Sequence, residues 1–167
     1  MIDNLQYNGT ITINKIVNGK TLKSKTFNSG TDLLFKTYAL ALQGQNIDNL
    51  LPTYIDIKSG DKSILNSNGI SVVRSVLLEE EKENSENEAG VDEKIGTKVP
   101  CTRISASILA STINTNSKDN FTISLETPTR EQLAYATIPN EILANITSGT
   151  QLLIVWDLYV HNPIVTQ

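Results

Sequence analysis

Short segments in which apolar and polar residues alternate, separated by polar turns, recur through most of this chain. The clearest of them are residues 10–15, 53–58, 101–113, 121–125 and 132–138. Alternation with a period of two is typical of strands that bury one face. Strands in series with short connections indicate an antiparallel sandwich or barrel. We therefore predict a mainly β protein, an antiparallel β-sandwich that is jelly-roll-like.

The first 27 residues predict a β-hairpin. The alternating segment 10–15 is followed by Asn18-Gly19, a pair that favours a tight type I′ turn. A second strand is expected to continue through Leu22 and Phe27.

One amphipathic helix, inserted between strands, is predicted near residues 30–43. Ser29 is the expected N-cap and Gly44 the expected C′ glycine. The apolar residues that share a face at helical spacing are Leu33, Leu34, Tyr38, Ala41 and Leu42. We expect this helix to pack against the edge or the opening of a sheet.

Two further strands are predicted over residues 70–78 and 150–161, with a short helical turn near 140–145. The last strand contains Trp156, which is embedded in apolar residues and is expected in the core. Trp156, Tyr159 and Tyr135 form the one candidate aromatic cluster. Core packing is favoured over the alternative, a platform on which a sugar would stack.

Negative charge is concentrated in one segment. Residues 79–94 carry eight acidic residues and two lysines, a net charge of −6, which leaves +2 for the rest of a chain whose net charge is −4. Low hydrophobicity and high charge predict a mobile acidic loop at about 79–98 within a single domain, residues 1–167. Its candidate contacts with a basic partner are Glu79, Glu80, Glu81, Glu83, Glu86 and Glu88. The chain has no cluster of basic residues, and we therefore predict that it does not bind nucleic acid.

Residues that could carry chemistry are few. His161 is the only histidine, and a metal cluster needs more ligands than one. Cys101 is expected to be a small buried hydrophobe, because no neighbour in the sequence would activate its thiol. Glu126 and Asp157 lie in predicted strands and could face each other, and we interpret them as surface or hydrogen-bonded carboxylates. We predict no catalytic residue, no cofactor and no metal, and hence a protein that is not an enzyme.

The single cysteine excludes an intrachain disulfide and fits a reducing cytosol. No stretch approaches the roughly 20 apolar residues of a membrane span. The first ten residues lack the basic region and apolar run of a signal peptide. These observations predict a protein that is made and kept inside a cell and has no membrane partner.

The order of these elements resembles that of small virion proteins of tailed bacteriophages. The segments that carry the resemblance are NSGTDLLFKTYALALQG, PTYIDIKSG, VVRSVLLEEE, TRISASILAST, FTISLETPTREQLAYATIP and GTQLLIVWDLYV. The chain departs from the pattern at SGDKS, where such proteins have a glycine-rich turn, and in its acidic insert.

The resemblance implies a non-enzymatic structural protein of the tail, neck or baseplate, or a decoration of the head. It would be assembled in the host cytoplasm and located in the virion. Its partners would be other virion proteins and further copies of itself, as a homo-oligomer or an adaptor. The alternative is a carbohydrate- or receptor-binding β-sandwich module, which would need exposed aromatic residues in a groove. A host receptor is a further partner for which the sequence offers no support.

Overall fold

The computed structural model describes residues 9–80, 98–114 and 120–159, with side chains described except at residues 77–80 and 98–100. Within these ranges the protein is mainly β, with two antiparallel sheets and two α-helices. No helix in this part of the chain is long and apolar enough to span a membrane.

The strands are short and follow one another closely along the chain. They are β1 (Gly9–Val17), β2 (Lys20–Phe27), β3 (Ser29–Gly30), β4 (Tyr54–Ser59), β5 (Lys62–Ser63), β6 (Ile70–Ser71), β7 (Val73–Glu80), β8 (Lys98–Leu109), β9 (Phe121–Glu126), β10 (Gln132–Thr137) and β11 (Gln151–Tyr159). The helices are α1 (Asp32–Leu42) and α2 (Asn140–Leu143).

Among the described strands, sheet A has the order β2–β1–β11–β8–β7, and sheet B has the order β3–β10–β9–β4–β5. Strand β6 also belongs to sheet B, where it pairs with β4. All of these pairings are antiparallel. The mainly β, antiparallel class predicted from the alternation is therefore confirmed.

The two sheets share one hydrophobic core, built from alternate residues of their strands. In sheet A, Ile11 lies opposite Trp156, which in turn lies opposite Ile104. In sheet B, Ile55 lies opposite Leu125. All five side chains are buried in the shared core, and Trp156 is 0% exposed. The prediction that Trp156 belongs to the core is confirmed.

The predicted N-terminal hairpin is confirmed. Val17 pairs with Lys20, so that the connection between β1 and β2 has two residues. Asn18 has a φ of 50° and Gly19 a φ of 76°, and a type I′ turn requires positive φ at both positions.

The helix begins later than its sequence predicts. Ser29, the expected N-cap, lies in β3, because its backbone and that of Gly30 pair with β10. The N-cap is Thr31, whose hydroxyl donates to the carbonyl oxygens of Gln132 and Leu133 instead of capping the helix. Thr31 thereby connects the start of α1 to β10.

The buried face of α1 also differs from the predicted one. Leu34 and Thr37 are buried, whereas Ala41 is exposed and Leu42 is 89% exposed. The prediction was wrong for Ala41 and Leu42 because the last turn extends into solvent. Gly44, with a φ of 73°, follows the C-cap as predicted.

The predicted strand over residues 70–78 is two strands in different sheets. Strand β6 pairs with β4 in sheet B, and β7 pairs with β8 in sheet A. Only Val72 separates them. At the opposite edges of the sheets, Asn28 alone separates β2 from β3 in the same way. The prediction was wrong because the local pattern of residues 70–78 does not specify to which sheet each half pairs.

The predicted acidic loop is shorter than residues 79–98. Glu79 and Glu80 lie in β7, and Lys98 lies in β8, with Glu80 paired to Lys98. The interior of the predicted loop lies outside the described residues.

Other boundaries of the second half agree with the sequence or differ by a few residues. Strand β8 ends at Leu109 and is followed by a 3-10 turn, Ala110–Thr112, where a continuous strand was predicted. The predicted helical turn near residues 140–145 is α2. Strand β11 ends at Tyr159, and residues 160–161 of the predicted strand lie outside the described ranges.

Candidate functional site

The outer face of sheet B carries a buried ionic cluster. Side chains alternate between the two faces of β4 and β9, and Ile55 and Leu125 enter the core. Asp56 and Glu126, the next residues along each strand, therefore lie on the opposite face of the sheet. Outward carboxylates are normally exposed. Here Asp56 is 3% exposed and Glu126 is 2% exposed. A further layer of chain must therefore cover this face.

The covering residues come from two connections. The β4–β5 turn places Ser63, in β5, opposite Lys58 of β4, and the Ser63 hydroxyl donates to Asp56 Oδ1 at 2.5 Å. The turn after β9 brings Arg130 over the same face, where its Nη1 donates to the carbonyl oxygen of Asn68. These contacts close the two segments over the carboxylates.

The environment of Asp56 changes the pKa of its carboxyl group. Burial raises the pKa of Asp56 above its ordinary value of 3.8, because desolvation penalises the charged form. The negative charge of Glu126 raises this pKa further. The hydrogen bond from Ser63 and the positive charge of Lys58 act in the opposite direction.

Glu126 lies between two cations. Its Oε2 lies 3.0 Å from Lys58 Nζ, and its Oε1 lies 3.6 Å from Arg130 Nη1. Oε2 is buried, and the ion pair with Lys58 is its polar contact among the described residues.

Arg130 is fixed by its backbone and by its neighbours. Its φ of 69° is rare for a residue with a side chain. The guanidinium carbon lies 3.8 Å from the centroid of the Tyr54 ring, a cation–π arrangement. Gly69, with a φ of 133°, leaves room for the guanidinium, since a Cβ there would overlap Arg130 Nη1.

An open pocket of about 440 Å³ adjoins the cluster. Its lining residues are Asp56, Lys58, Asp61, Ser63, Asn68, Glu126 and Arg130. Donors and acceptors of both charges converge there, an arrangement suited to a polar ligand. Only Glu126 was singled out from sequence. The alternation of β4 indicated which face Asp56 and Lys58 share, but no sequence signal indicated that a later segment covers it.

Asp157 does not face Glu126, because β11 lies in sheet A and β9 in sheet B. Asp157 makes a bidentate pair with Arg103 on the outer face of sheet A, with Nε–Oδ1 at 2.8 Å and Nη2–Oδ2 at 2.9 Å. The interpretation of Asp157 as a hydrogen-bonded carboxylate is confirmed. For Glu126 the surface interpretation was wrong, because the segments described above bury it.

The other residues singled out from sequence have separate places. Cys101 is buried, as predicted. Tyr135 lies in β10 of sheet B, whereas Trp156 and Tyr159 lie in β11 of sheet A, so that the candidate aromatic cluster does not form. His161 lies outside the described residues.

The second candidate functional feature is the free edge of strand β7, which could bind another chain. It pairs with β8 on one side, and no described strand pairs with its other side. Val73 is 69% exposed and Val76 is 77% exposed, and Arg74 between them is also exposed. Of the predicted partner contacts, Glu79 and Glu80 lie on this strand. The others, Glu81, Glu83, Glu86 and Glu88, lie outside the described residues.

Within the described ranges, no three His, Cys, Asp or Glu residues come together in a group that could hold a metal ion. Comparison of the chain with models of protein families, with curated proteins and with solved structures finds no match. The functional argument therefore rests on two features of the chain itself, the ionic pocket on sheet B and the β7 edge of sheet A.

Proposed function

We propose that this chain is a non-enzymatic structural protein of a bacteriophage virion. It acts by assembling, as a homo-oligomer or an adaptor, in the tail, neck or baseplate or on the head. The observation that carries the proposal is the β7 edge. Strand β7 pairs with β8 on one side, and its other side pairs with no described strand. A free strand edge that exposes apolar side chains is a template for pairing with another chain, and monomeric proteins usually block such edges.

The composition of the β7 edge supports this role. Val73 and Val76 are largely exposed although 23 apolar side chains elsewhere in the described residues are buried. The edge strand is eight residues long. Arg74 is the only charged residue among residues 73–76, whose exposure the structure describes, and Glu79 and Glu80 follow at the end of the strand. A free edge of this length can accept a further strand, with main-chain hydrogen bonds that supply affinity.

The jelly-roll-like arrangement is the finer part of the proposal. The last described strand, β11, returns to pair with the first, β1, as in Greek-key sandwiches. The chain passes between the two sheets at β2–β3, β6–β7, β8–β9 and β10–β11. These connections support the jelly-roll resemblance drawn from the sequence.

The assembly proposal is tested by light scattering during size exclusion over a range of concentrations. The wild-type chain is expected to run above its monomer mass of 18.3 kDa. Val76→Lys should lower the observed mass, because a charged residue on an edge strand opposes pairing. Leu42→Lys is the matched control, since Leu42 is also an exposed apolar residue but lies on α1.

A wild-type chain that stays at monomer mass at every concentration, and that binds no co-expressed virion protein, would contradict assembly. The virion location has a separate test, which is mass spectrometry of purified phage particles. Absence of the chain from such particles would contradict that part alone.

A second candidate function is binding of a carbohydrate or another polar receptor group in the pocket on sheet B. The polar and charged side chains that line this pocket, buried Glu126 among them, favour it. The aromatic residues give this candidate less support, because Trp156 is buried and cannot serve as an exposed platform for a sugar. A glycan array with wild-type protein and Glu126→Gln tests it. Binding that Glu126→Gln abolishes would establish the pocket as a binding site, and an array without binding would remove this candidate.

A further inference from the structure

We propose that two copies of this chain pair antiparallel through β7, with Leu77 of each copy at the two-fold axis and Arg74 of each copy opposite Glu80 of the other. The inference rests on the proposed assembly function and names its interface. It follows from the geometry of a free antiparallel edge and from the charges along β7.

Symmetry restricts the registers that such a dimer can adopt. A two-fold axis perpendicular to the sheet makes the two β7 strands antiparallel and keeps the outer face of both copies on the same side. Residues directly opposite each other in a sheet point to the same face. Side chains alternate between the two faces along β7, so that even-numbered residues lie opposite even-numbered residues and odd-numbered opposite odd-numbered. The two-fold axis lies midway between two opposite residues, and it therefore passes through a residue position and not between two residues.

Charge then distinguishes among the allowed registers. With the axis at Leu77, Arg74, which is the only basic residue of β7, lies opposite Glu80 twice by symmetry. The same register places Leu78 opposite Val76, which at 77% is the most exposed apolar side chain described on this edge.

The neighbouring registers are worse. With the axis at Val76, Arg74 lies opposite Leu78 and has no acid across the strand pair. With the axis at Leu78, Glu80 lies opposite Val76, and Arg74 extends beyond the paired residues. Of these three registers, only the one centred on Leu77 pairs opposite charges at both ends. On the face that carries Arg74, the residues between those ends are Val76 and Leu78, and on the other face Ser75 lies opposite Glu79.

The side chain of Arg74 already makes one hydrogen bond within the single chain. One guanidinium nitrogen donates to the carbonyl oxygen of Pro52 at 2.8 Å. A guanidinium has five N–H donors, so that this contact leaves donors for a carboxylate. The ordering of Arg74 in the single chain reduces the entropy lost when a second copy binds.

The two Glu80 carboxylates do not oppose this dimer. In an antiparallel pair, the Glu80 residues of the two copies lie at opposite ends of the interface. With the axis at Leu77 they are six residue positions apart, about 20 Å at about 3.3 Å per residue. That separation is about 2.5 times the Debye length of about 8 Å at physiological ionic strength, so that the repulsion between these two carboxylates is largely screened.

A charge-exchange experiment tests the register. Sedimentation equilibrium is measured for wild type, Arg74→Glu, Glu80→Arg, the double variant and an equimolar mixture of the two single variants. Each single variant opposes like charges at two positions, and we expect its dimer dissociation constant to rise at least about tenfold. The double variant and the mixture both restore opposite charges across the axis, and both should regain the dimer.

Lys23→Glu is the matched control, because it makes the same change of charge on β2, the other edge of sheet A. It should keep the wild-type mass, and far-ultraviolet circular dichroism should be unchanged in every variant. Single variants that dimerise as wild type does, or a mixture that fails to recover, would overturn this register while assembly itself stands. A monomeric wild type would overturn both the register and the proposed function.

Discussion

Asn28 is a buried polar residue at the point where the chain leaves sheet A for sheet B. Its Oδ1 accepts a hydrogen bond from Trp156 Nε1 at 3.1 Å, and its backbone N–H donates to the carbonyl oxygen of Gly9. Gly9 has no side chain at this contact, where a Cβ would overlap the Asn28 amide. Three residues from different strands and connections thus fit one another at this corner.

Asn28→Ala should therefore lower the free energy of unfolding by about 1–3 kcal/mol, because the indole N–H stays buried without its acceptor. Urea unfolding followed by circular dichroism measures the effect. Fluorescence gives a second signal, since Trp156 is the only tryptophan. Gln45→Ala, at an exposed position, serves as the control. Equal midpoints for the two variants would show that this hydrogen bond contributes nothing to stability.

We predict that the contribution of Asp56 to the free energy of unfolding decreases as pH rises from 3.8 towards its raised pKa. Its pKa is raised in the folded state, so that between 3.8 and the raised value the folded chain binds more protons than the unfolded chain. Stability then falls as pH increases through this interval. Asp56→Asn should remove that contribution and flatten the dependence, measured by urea unfolding at a series of pH values.

Asp61→Asn is the control for this prediction, because Asp61 lines the same pocket but is exposed. It should reproduce the wild-type dependence on pH. A pH dependence that Asp56→Asn leaves unchanged would mean that Asp56 does not titrate differently in the folded and unfolded chains.

At the scale of elements, the segment between β5 and β6 holds Arg130 beside the ionic cluster, through the carbonyl oxygen of Asn68. Gly69 is its critical position, for both its backbone angle and the space it leaves beside Arg130. Gly69→Ala should cost about 1–3 kcal/mol, because a side chain strains the backbone there and displaces the guanidinium.

Thermal or urea unfolding measures this cost against Gly149→Ala. Gly149 has an ordinary φ, and the nearest atom to an added Cβ is 4.0 Å away. That control should lie within about 0.5 kcal/mol of wild type. If Gly69→Ala were as stable as the control, the close fit between Gly69 and Arg130 would have no energetic weight.

Elements with a local cause were predictable from sequence, and elements with a tertiary cause were not. Asn18-Gly19 carries its own turn geometry, and the alternation in β4 and β9 reports directly which residues enter the core. The prediction for Ser29 was wrong because its backbone pairs with β10 as part of a strand, so that the helix begins further along the chain. The sheet switch at Val72 was missed because apolar residues on both sides favour a strand in either sheet.

At the scale of the whole molecule, the sequence predicted the class of fold and missed the pocket. Acidic and basic residues on alternate positions of β4 resemble an ordinary solvated face. Their burial depends on Ser63 and Arg130, which contact that face only after the chain has folded. The β7 edge was part of a predicted strand, but its place at the border of sheet A depends on the order of all five strands. The prediction of a mobile acidic loop stays a prediction.

Because Val72 alone connects β6 of sheet B to β7 of sheet A, a force applied to one sheet can be transmitted directly to the other. In an assembly built on β7, tension along that strand reaches β6 through one residue, and the amide of Val72 is anchored to the carbonyl oxygen of Thr53 at 3.1 Å. Strand β6 directly follows the segment that covers Asp56 and Glu126. A pull on the outer edge of sheet A is therefore transmitted through Val72 to the segment that covers the charged pocket on sheet B.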